Sequence, residues 1–371
     1  MRIAILGAGP AGSAAACHLA RAGRDVTLVD RADFPRDKVC GDWLTPAAVE
    51  ALAGMGVDRA TLARAAPSHT TIDRGALGAP GGALSVAALP RPGLCVPRRV
   101  LDAAVRERAL AAGCRPLKLH VRNVRDDPAL AAFDVVVDAR GANVGTPNAV
   151  GLRAYWTVPR AALDADACAT VTLQTHAAFP RGYGWWFPVA RGDELVTLNV
   201  GVGLLAADGR PGAHVTDFLA ELEQRHATLA RLRALSIDRT RPVGYHVGLA
   251  TWRNAVTNGT VLRIGDAANL ADPLTGDGIG NALRSGALVA DAIAQARDAQ
   301  DAARRWQAAF ERALLPDLRV ALALRAALRG TGAKNAAARL LAHSPALRER
   351  LHGALFGAID YRALMRLRRP S

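Results

Sequence analysis

Cysteine, aromatic residues and uninterrupted apolar runs are all scarce in this 371-residue chain, and each shortage removes a class of protein. The five cysteines, Cys17, Cys40, Cys95, Cys114 and Cys168, form no C-x-x-C pair and no His-spaced zinc pattern, which argues against a disulfide framework or a structural metal. Apolar stretches near the tail are broken by Arg319, Arg325 and Arg329, so none reads as a transmembrane span. Aromatics make up 5% of the chain, and no basic run is interleaved with them. With no helix-turn-helix or zinc-finger spacing either, nucleic acid is not an expected partner, although the formal net charge is +14. Such a field suits an anionic cofactor, a phosphorylated lipid, an anionic membrane surface or an acidic carrier protein. Residues 3–20 hold no Asp, Glu, Lys or Arg and imitate a signal peptide. They are rich in Gly and Ala, contain Pro10 and have another use, so the segment is expected to be retained.

That use is Ile3-Ala4-Ile5-Leu6-Gly7-Ala8-Gly9-Pro10-Ala11-Gly12, a short apolar strand running into G-x-G-x-x-G and an Ala-rich helix. Gly7 permits the tight turn, Gly9 lets the backbone approach a pyrophosphate, and Gly12 lets helix and strand pack closely. The helix amino terminus faces the phosphates. A second strand, Val26 to Val29, ends at Asp30, whose carboxylate can accept from ribose hydroxyls, with Arg31 beside it. Such a βαβ unit binds NAD or FAD alike.

The stretch Gly265 to Gly280, GDAANLADPLTGDGIG, decides between them. It follows a strand, Val261 to Ile264, and leads into a helix starting at a Gly-rich turn. Asp266 at the strand end can accept from a ribityl hydroxyl, while N–H groups at Gly278 to Gly280 and the positive helix end face the flavin pyrimidine edge and stabilise a reduced, anionic flavin. The cofactor contacts expected are therefore Gly7, Gly9, Ala11, Gly12, Asp30, Arg31, Gly265, Asp266, Pro273, Gly276, Gly278 and Ile279.

The pairing of these two ends resembles the large p-hydroxybenzoate hydroxylase-like flavoprotein superfamily, which includes aromatic hydroxylases, flavin halogenases and geranylgeranyl reductases. Lys38-Val39-Cys40-Gly41 is similar to the K-x-C-G segment of the geranylgeranyl reductase family, and Gly41 to Pro46, GDWLTP, is similar also to bacterial menaquinone reductases. Pro180 to Pro188, PRGYGWWFP, matches that family's P-x-x-Y-x-W-x-F-P at every fixed position. The resemblance implies that Lys38, Gly41 and Arg98 contact FAD and that Cys40 lies beside the flavin as a proton handler, with Lys38 available to lower its pKa. Tyr183, Trp185 and Phe187 alternate and share one strand face, and the resemblance makes Tyr183 and Trp185 cavity-lining members of the catalytic set.

The fold expected is α/β: a Rossmann-like FAD-binding domain (1–65, 95–150, 254–300), a discontinuous β-sheet substrate domain (66–94, 151–253) and a C-terminal helical region (301–371). Residues 66–94, rich in Gly, Pro and Ala, read as short strands, and the tail as amphipathic helices able to touch lipid. The activity implied is FAD-dependent reduction of carbon–carbon double bonds in a prenyl-like, apolar or carrier-bound substrate, with NAD(P)H or another reductant as electron donor. Aromatic hydroxylases carry Asp-Gly where this chain has Arg140-Gly141, and no second G-x-G-x-x-G exists, so the nicotinamide site stays unlocated. A flavin monooxygenase acting on an aromatic or protein-borne substrate is the alternative, and a flavin-bound scaffold or lipid carrier is another. The halogenase W-x-W-x-I-P signature is absent. Cytoplasmic placement is expected, with contact to the inner face of a membrane left open, as are the substrate and the oligomeric state.

Overall fold

The computed structural model describes residues 1–205 and 214–365. Its first sheet grows from the strand Arg2–Leu6, in which Ile3, Ala4, Ile5 and Leu6 are all buried. A parallel strand covered on both faces needs apolar side chains on both, hence a continuous run rather than alternation. The strand order is Thr257–Asn258, Val261–Arg263, Val135–Asp138, Arg2–Leu6, Asp25–Asp30, Arg115–Lys118. All pairs are parallel except the outer hairpin at 257–263.

Helix Pro10–Arg21 starts with proline in its first turn, where a missing N–H costs nothing. Its Ala14, Ala15, Ala16 and Cys17 are fully buried, and small side chains let it lie close to the helices Ile279–Ala294 and Arg98–Ala111. The other sheet face is covered by Val121 and Leu130 over Ala4, Leu6 and Val29. Among the described residues, no helix is long and apolar enough to cross a membrane.

The second sheet runs Asp238–Arg239, Ala149–Pro159, Leu195–Leu205, Gly182–Arg191, Thr170–Thr175, Thr70–Gly78, Leu84–Cys95, Trp43–Leu44, with Val243–Val247 also paired to 149–159. The expectation of short strands over 66–94 is corrected: they form a long hairpin of 9 and 12 residues. Pro90 and Pro92 read as breakers, but the Thr70–Gly78 ladder shifts register between Ile72 and Arg74, opposite Gly93 and Ala88. Both prolines therefore fall in the bulge, where no ladder N–H is required. Trp43–Leu44 pairs with Leu94–Cys95, so the loop following the first βαβ unit reaches into this second sheet.

One face of the second sheet is covered by the helices Val215–Arg225 and Ala227–Leu235, through Phe218, Leu222 and Leu232. The tail supplies helices Ala299–Ala313, Leu315–Ala327, Thr331–His343, Pro345–Leu355 and Arg362–Met365; residues 366–371 of the predicted helical region lie outside the described residues. Trp306 anchors the first of them, its indole N–H shared between the Val256 and Arg263 carbonyls at 3.0 and 3.1 Å. Helix Pro345–Leu355 lies on Leu84–Cys95, and Phe356 just beyond it packs with Ile72, Leu89 and Phe187. The tail thereby closes the second sheet's other face.

Candidate active site

A continuous cavity of about 1460 Å³ runs between the two sheets. Single-ligand sites usually span about 300–1,000 Å³, so this one has room for a large cofactor and a second molecule. Of the residues expected to form the site, Gly7, Gly9, Ala11, Asp30, Arg31, Lys38, Cys40, Gly41, Arg98, Tyr183, Trp185, Asp266, Pro273, Gly276, Gly278 and Ile279 line it.

Gly12 and Gly265 stand behind the wall. A Cβ at Gly12 would lie 1.8 Å from the Gly7 carbonyl oxygen, and one at Gly265 would lie 2.9 Å from the Ala11 Cβ. Both positions shape the loop from behind rather than facing a ligand. Gly7 itself has φ +102°, a conformation that disfavours any side chain. At the same end, Asp30 Oδ2 accepts from the Ala8 amide at 2.7 Å and Oδ1 from Ala32 at 2.9 Å. The carboxylate is thus aimed by the backbone, with further lone pairs for ribose hydroxyls.

Lys38 lines the cavity with a carboxylate partner. Its Nζ donates to Asp266 Oδ2 at 3.0 Å, across 228 residues of sequence, and lies 5.0 Å from the centre of the Tyr245 ring. Burial alone depresses an ammonium, but the Asp266 carboxylate more than offsets it and holds Lys38 above its ordinary value. Cys40 does not receive the predicted acid-strengthening: burial pushes its thiol up, with Arg98 the nearby cation opposing that rise and Asp42 adding to it. Cys40 is therefore a thiol at neutral pH. Arg98 is itself 4% exposed and grips Asp102 through two bonds of 2.7 and 2.9 Å, while Arg36 adds a third contact at 3.2 Å.

Several residues that the sequence did not single out hold the Cys40 loop. Asp42, fully buried and at φ +60°, accepts from the Tyr155 hydroxyl, from Asn199 Nδ2 at 3.0 Å and from the Arg98 amide at 3.1 Å. Burial pushes its carboxyl up, while these donors and Arg153 oppose the rise. Asn199 also donates to the Cys40 carbonyl at 3.0 Å and accepts from the Trp185 indole N–H at 2.7 Å. One amide therefore couples the Cys40 loop to the aromatic strand. The only local signal was a polar residue inside an apolar strand, which alone does not distinguish a site from a satisfied core position.

On Gly182–Arg191, Tyr183, Trp185 and Phe187 face the cavity, whereas Trp186 points the other way, its ring 4.8 Å from that of His226. The Tyr183 hydroxyl donates to the Thr275 carbonyl, tying the strand to the 272–278 loop. In that loop the amide of Ile279 donates to Asp277 Oδ1 at 3.2 Å, so part of the helix terminus expected to face the flavin is occupied by the chain's own carboxylate. The far cavity wall comes from Leu77, Val171 and Leu173 of the sheet and from Leu341, Leu355 and Phe356 of the tail. The tail is thus part of the ligand site.

These features fit a dinucleotide laid from Asp30, across the Gly7–Gly9 turn, to Asp266 and Gly278. The turn leaves backbone exposed, the helix end favours phosphate, and the Lys38–Asp266 pair closes the far end. A model of an FAD binding domain matches residues 1–143. The menaquinone reductase of Mycolicibacterium smegmatis is 32% identical over 329 residues, covering 78% of this chain and 75% of that protein. Digeranylgeranylglycerophospholipid reductase 2 of Methanopyrus kandleri is 28% identical over 341 residues, covering 83% and 82%. A geranylgeranyl bacteriochlorophyll reductase-like protein from Thermoplasma acidophilum shares the fold, with TM-score 0.71 at 16% identity over 98% of this chain and 94% of that one. Fold and site together define an FAD-dependent oxidoreductase. Within that class, the chain belongs to the geranylgeranyl reductase family, together with the menaquinone reductases.

Proposed function

We propose that the protein uses bound FAD to saturate a carbon–carbon double bond in a prenyl-type chain, with NAD(P)H as electron donor. The observation that carries this reading is the apolar half of the cavity, continuous with the cofactor end and walled by Leu77, Leu173, Leu341, Leu355 and Phe356. The names of the two reductase relatives denote molecules with prenyl chains, which agrees with such a slot. When bound, FAD supplies the two-electron chemistry. The chain's own residues position it and the substrate: Gly7 and Gly9 admit the pyrophosphate, Asp30 and Asp266 hold hydroxyls, and Lys38 neutralises Asp266. The Asn199 amide fixes the Cys40 loop and the Trp185 ring relative to each other, so the slot keeps one shape. Tyr183 and Trp185 form the wall between the cofactor end and the apolar end.

A membrane is the natural source of such a substrate. Leu84, Leu340 and Leu347 are 61%, 56% and 37% exposed on elements that also wall the cavity, which supports a peripheral contact made by the cytoplasmic enzyme.

The test is anaerobic mixing of NAD(P)H-reduced enzyme with a short-chain menaquinone or a C20 prenyl alcohol, with mass spectrometry of the product. A gain of two hydrogens in the chain is expected; hydroxylation in air with no saturation would replace the reductase reading by monooxygenase. Trp185→Ala should raise KM about 10-fold or more with FAD retained, because fully exposing or deleting a large apolar contact removes about 1.5–3 kcal/mol. An unchanged KM would take Trp185 out of the substrate wall.

A further inference from the structure

Saturating an alkene requires a proton as well as a hydride, and the cavity offers four carboxylates: Asp30, Asp37, Asp266 and Asp277. Three are engaged elsewhere, two of them by cations. Asp30 accepts two backbone N–H groups, Asp37 pairs with Arg153 at 3.1 Å, and Asp266 pairs with Lys38. Among the described residues Asp277 has no cation within 4 Å, and the charge that faces it is another carboxylate, Asp272, from its own loop.

We propose, building on the reductase reading above, that Asp277 is the acid that delivers the proton to the substrate carbon. Its surroundings suit a group that cycles between both forms. Oδ1 is held by the Ile279 amide at 3.2 Å, which leaves Oδ2, 3.4 Å from the Thr45 hydroxyl, to carry the proton. Burial and the negative charge of Asp272 push its pKa up to about 6, against the pull of the Ile279 and Gly280 amides and of Thr45. Tyr183, on the facing strand, stays neutral, since burial, Asp272 and Asp277 all push its hydroxyl up. Tyr361 and Arg325 act on Asp272. The Arg325 guanidinium donates to the Pro273 carbonyl at 3.2 Å.

Cys40 compares poorly as donor. Its thiolate would be buried beside Asp42, and Arg98, which opposes the rise by its charge and a hydrogen bond, is also bound on two atoms by Asp102. The carboxylate left on Asp277 is solvated by two amides and a hydroxyl, and proton transfer is most effective when the donor pKa lies near the working pH.

In the step, the alkene π bond breaks and one new C–H bond forms with the hydride equivalent of the reduced cofactor, whose electrons a nicotinamide-class reductant replaces. The other C–H bond forms with the Oδ2 proton, and water reprotonates Asp277.

The experiment compares FAD-loaded wild type, Asp277→Asn, Asp277→Glu and Cys40→Ser in single turnovers with a short-chain menaquinone and a C20 prenyl alcohol, product saturation being read by mass spectrometry. The wild-type rate should be level at acid pH and fall as pH rises through about 6, because the protonated form is the donor. Asp277→Asn should retain FAD, lose that pH dependence and run about 10²- to 10⁴-fold slower. Asp277→Glu should recover most of the rate, and Cys40→Ser should keep the wild-type pH dependence whatever its rate. The visible spectrum of bound FAD should shift with a midpoint near 6 in wild type and not in Asp277→Asn.

An Asp277→Asn enzyme that keeps the wild-type rate or pH profile overturns the assignment, as does a collapse confined to Cys40→Ser. A variant that only binds FAD more weakly, with its profile unchanged, shows a structural role and overturns it too. Wild type that saturates neither probe overturns the reductase reading, and this inference with it.

Discussion

Asp266→Ala should weaken FAD binding by roughly 5- to 150-fold, the equivalent of about 1–3 kcal/mol for a charged hydrogen-bond partner lost from a partly buried site. The upper part of that range is expected because two groups lose their partner at once. The cofactor loses an acceptor, and Lys38, whose side chain is only 20% exposed, loses the carboxylate that offsets its burial. An ammonium stranded in that way becomes easier to deprotonate. Lys38→Met in the Asp266→Ala background should therefore recover part of the affinity, by removing the orphaned charge. Fluorescence quenching of FAD on titration into apoprotein measures both effects. Identical affinity in wild type and Asp266→Ala would remove Asp266 from the cofactor site, and no recovery in the double variant would remove the coupling to Lys38.

The second large effect is on the fold itself. Gly12→Ala places a methyl carbon 1.8 Å from the Gly7 carbonyl oxygen and 3.2 Å from the Ala139 Cβ. Neither obstacle is the end of a flexible side chain, so helix Pro10–Arg21 must move off the Arg2–Leu6 strand and the phosphate turn opens. Losses of more than about 4 kcal/mol belong to such forced backbone clashes. The variant should be recovered without FAD and with a melting temperature lowered by several degrees or more. Gly54→Ala is the matched control: it also adds a methyl group in a helix, but meets nothing within 4 Å. There alanine should be neutral or stabilising by about 0.5–1 kcal/mol. Equal melting temperatures and equal FAD content for the Gly12 variant and wild type would contradict the close-packing account.

Burial argues for one further pH effect of opposite origin to that at Asp277. His352 is fully buried against Ser85, with its pKa depressed to about 4, chiefly by desolvation. A histidine that must stay neutral when folded favours the unfolded chain, where it can bind a proton, once pH drops below its ordinary value of about 6.5. The folded state should lose stability as pH falls from about 6.5 to 4. His352→Gln should show less of that loss in melting temperatures taken across the same range. An acid limb of the same size in the variant would remove His352 as its cause.

Local chemistry made much of the cavity lining legible in the sequence. Strand, G-x-G-x-x-G, helix and acid lie within thirty residues in Ile3 to Asp30, and their mutual geometry follows from short-range sterics and the helix end. The 265–280 stretch was legible for the same reason, and the side-by-side placement of Tyr183 and Trp185 follows from the two-residue period of a strand. The partner of Lys38 was not legible because an ion pair across 228 residues depends on how two distant loops meet, and residue type alone does not record that. Asn199 went unnoticed because its meaning depends on the register that brings it opposite Tyr155 and Phe187 and under the Cys40 carbonyl.

What the sequence by itself determined is therefore the cofactor class and which loops line the cavity, since backbone turns, helix ends and strand periodicity are local. Only the tertiary structure decided which charges neutralise one another, that the tail helices wall the cavity, and that Asp277 faces Asp272 with no cation within 4 Å among the described residues. Burial and Coulomb interaction depend on distance through space, and folding brings together groups that the chain keeps far apart.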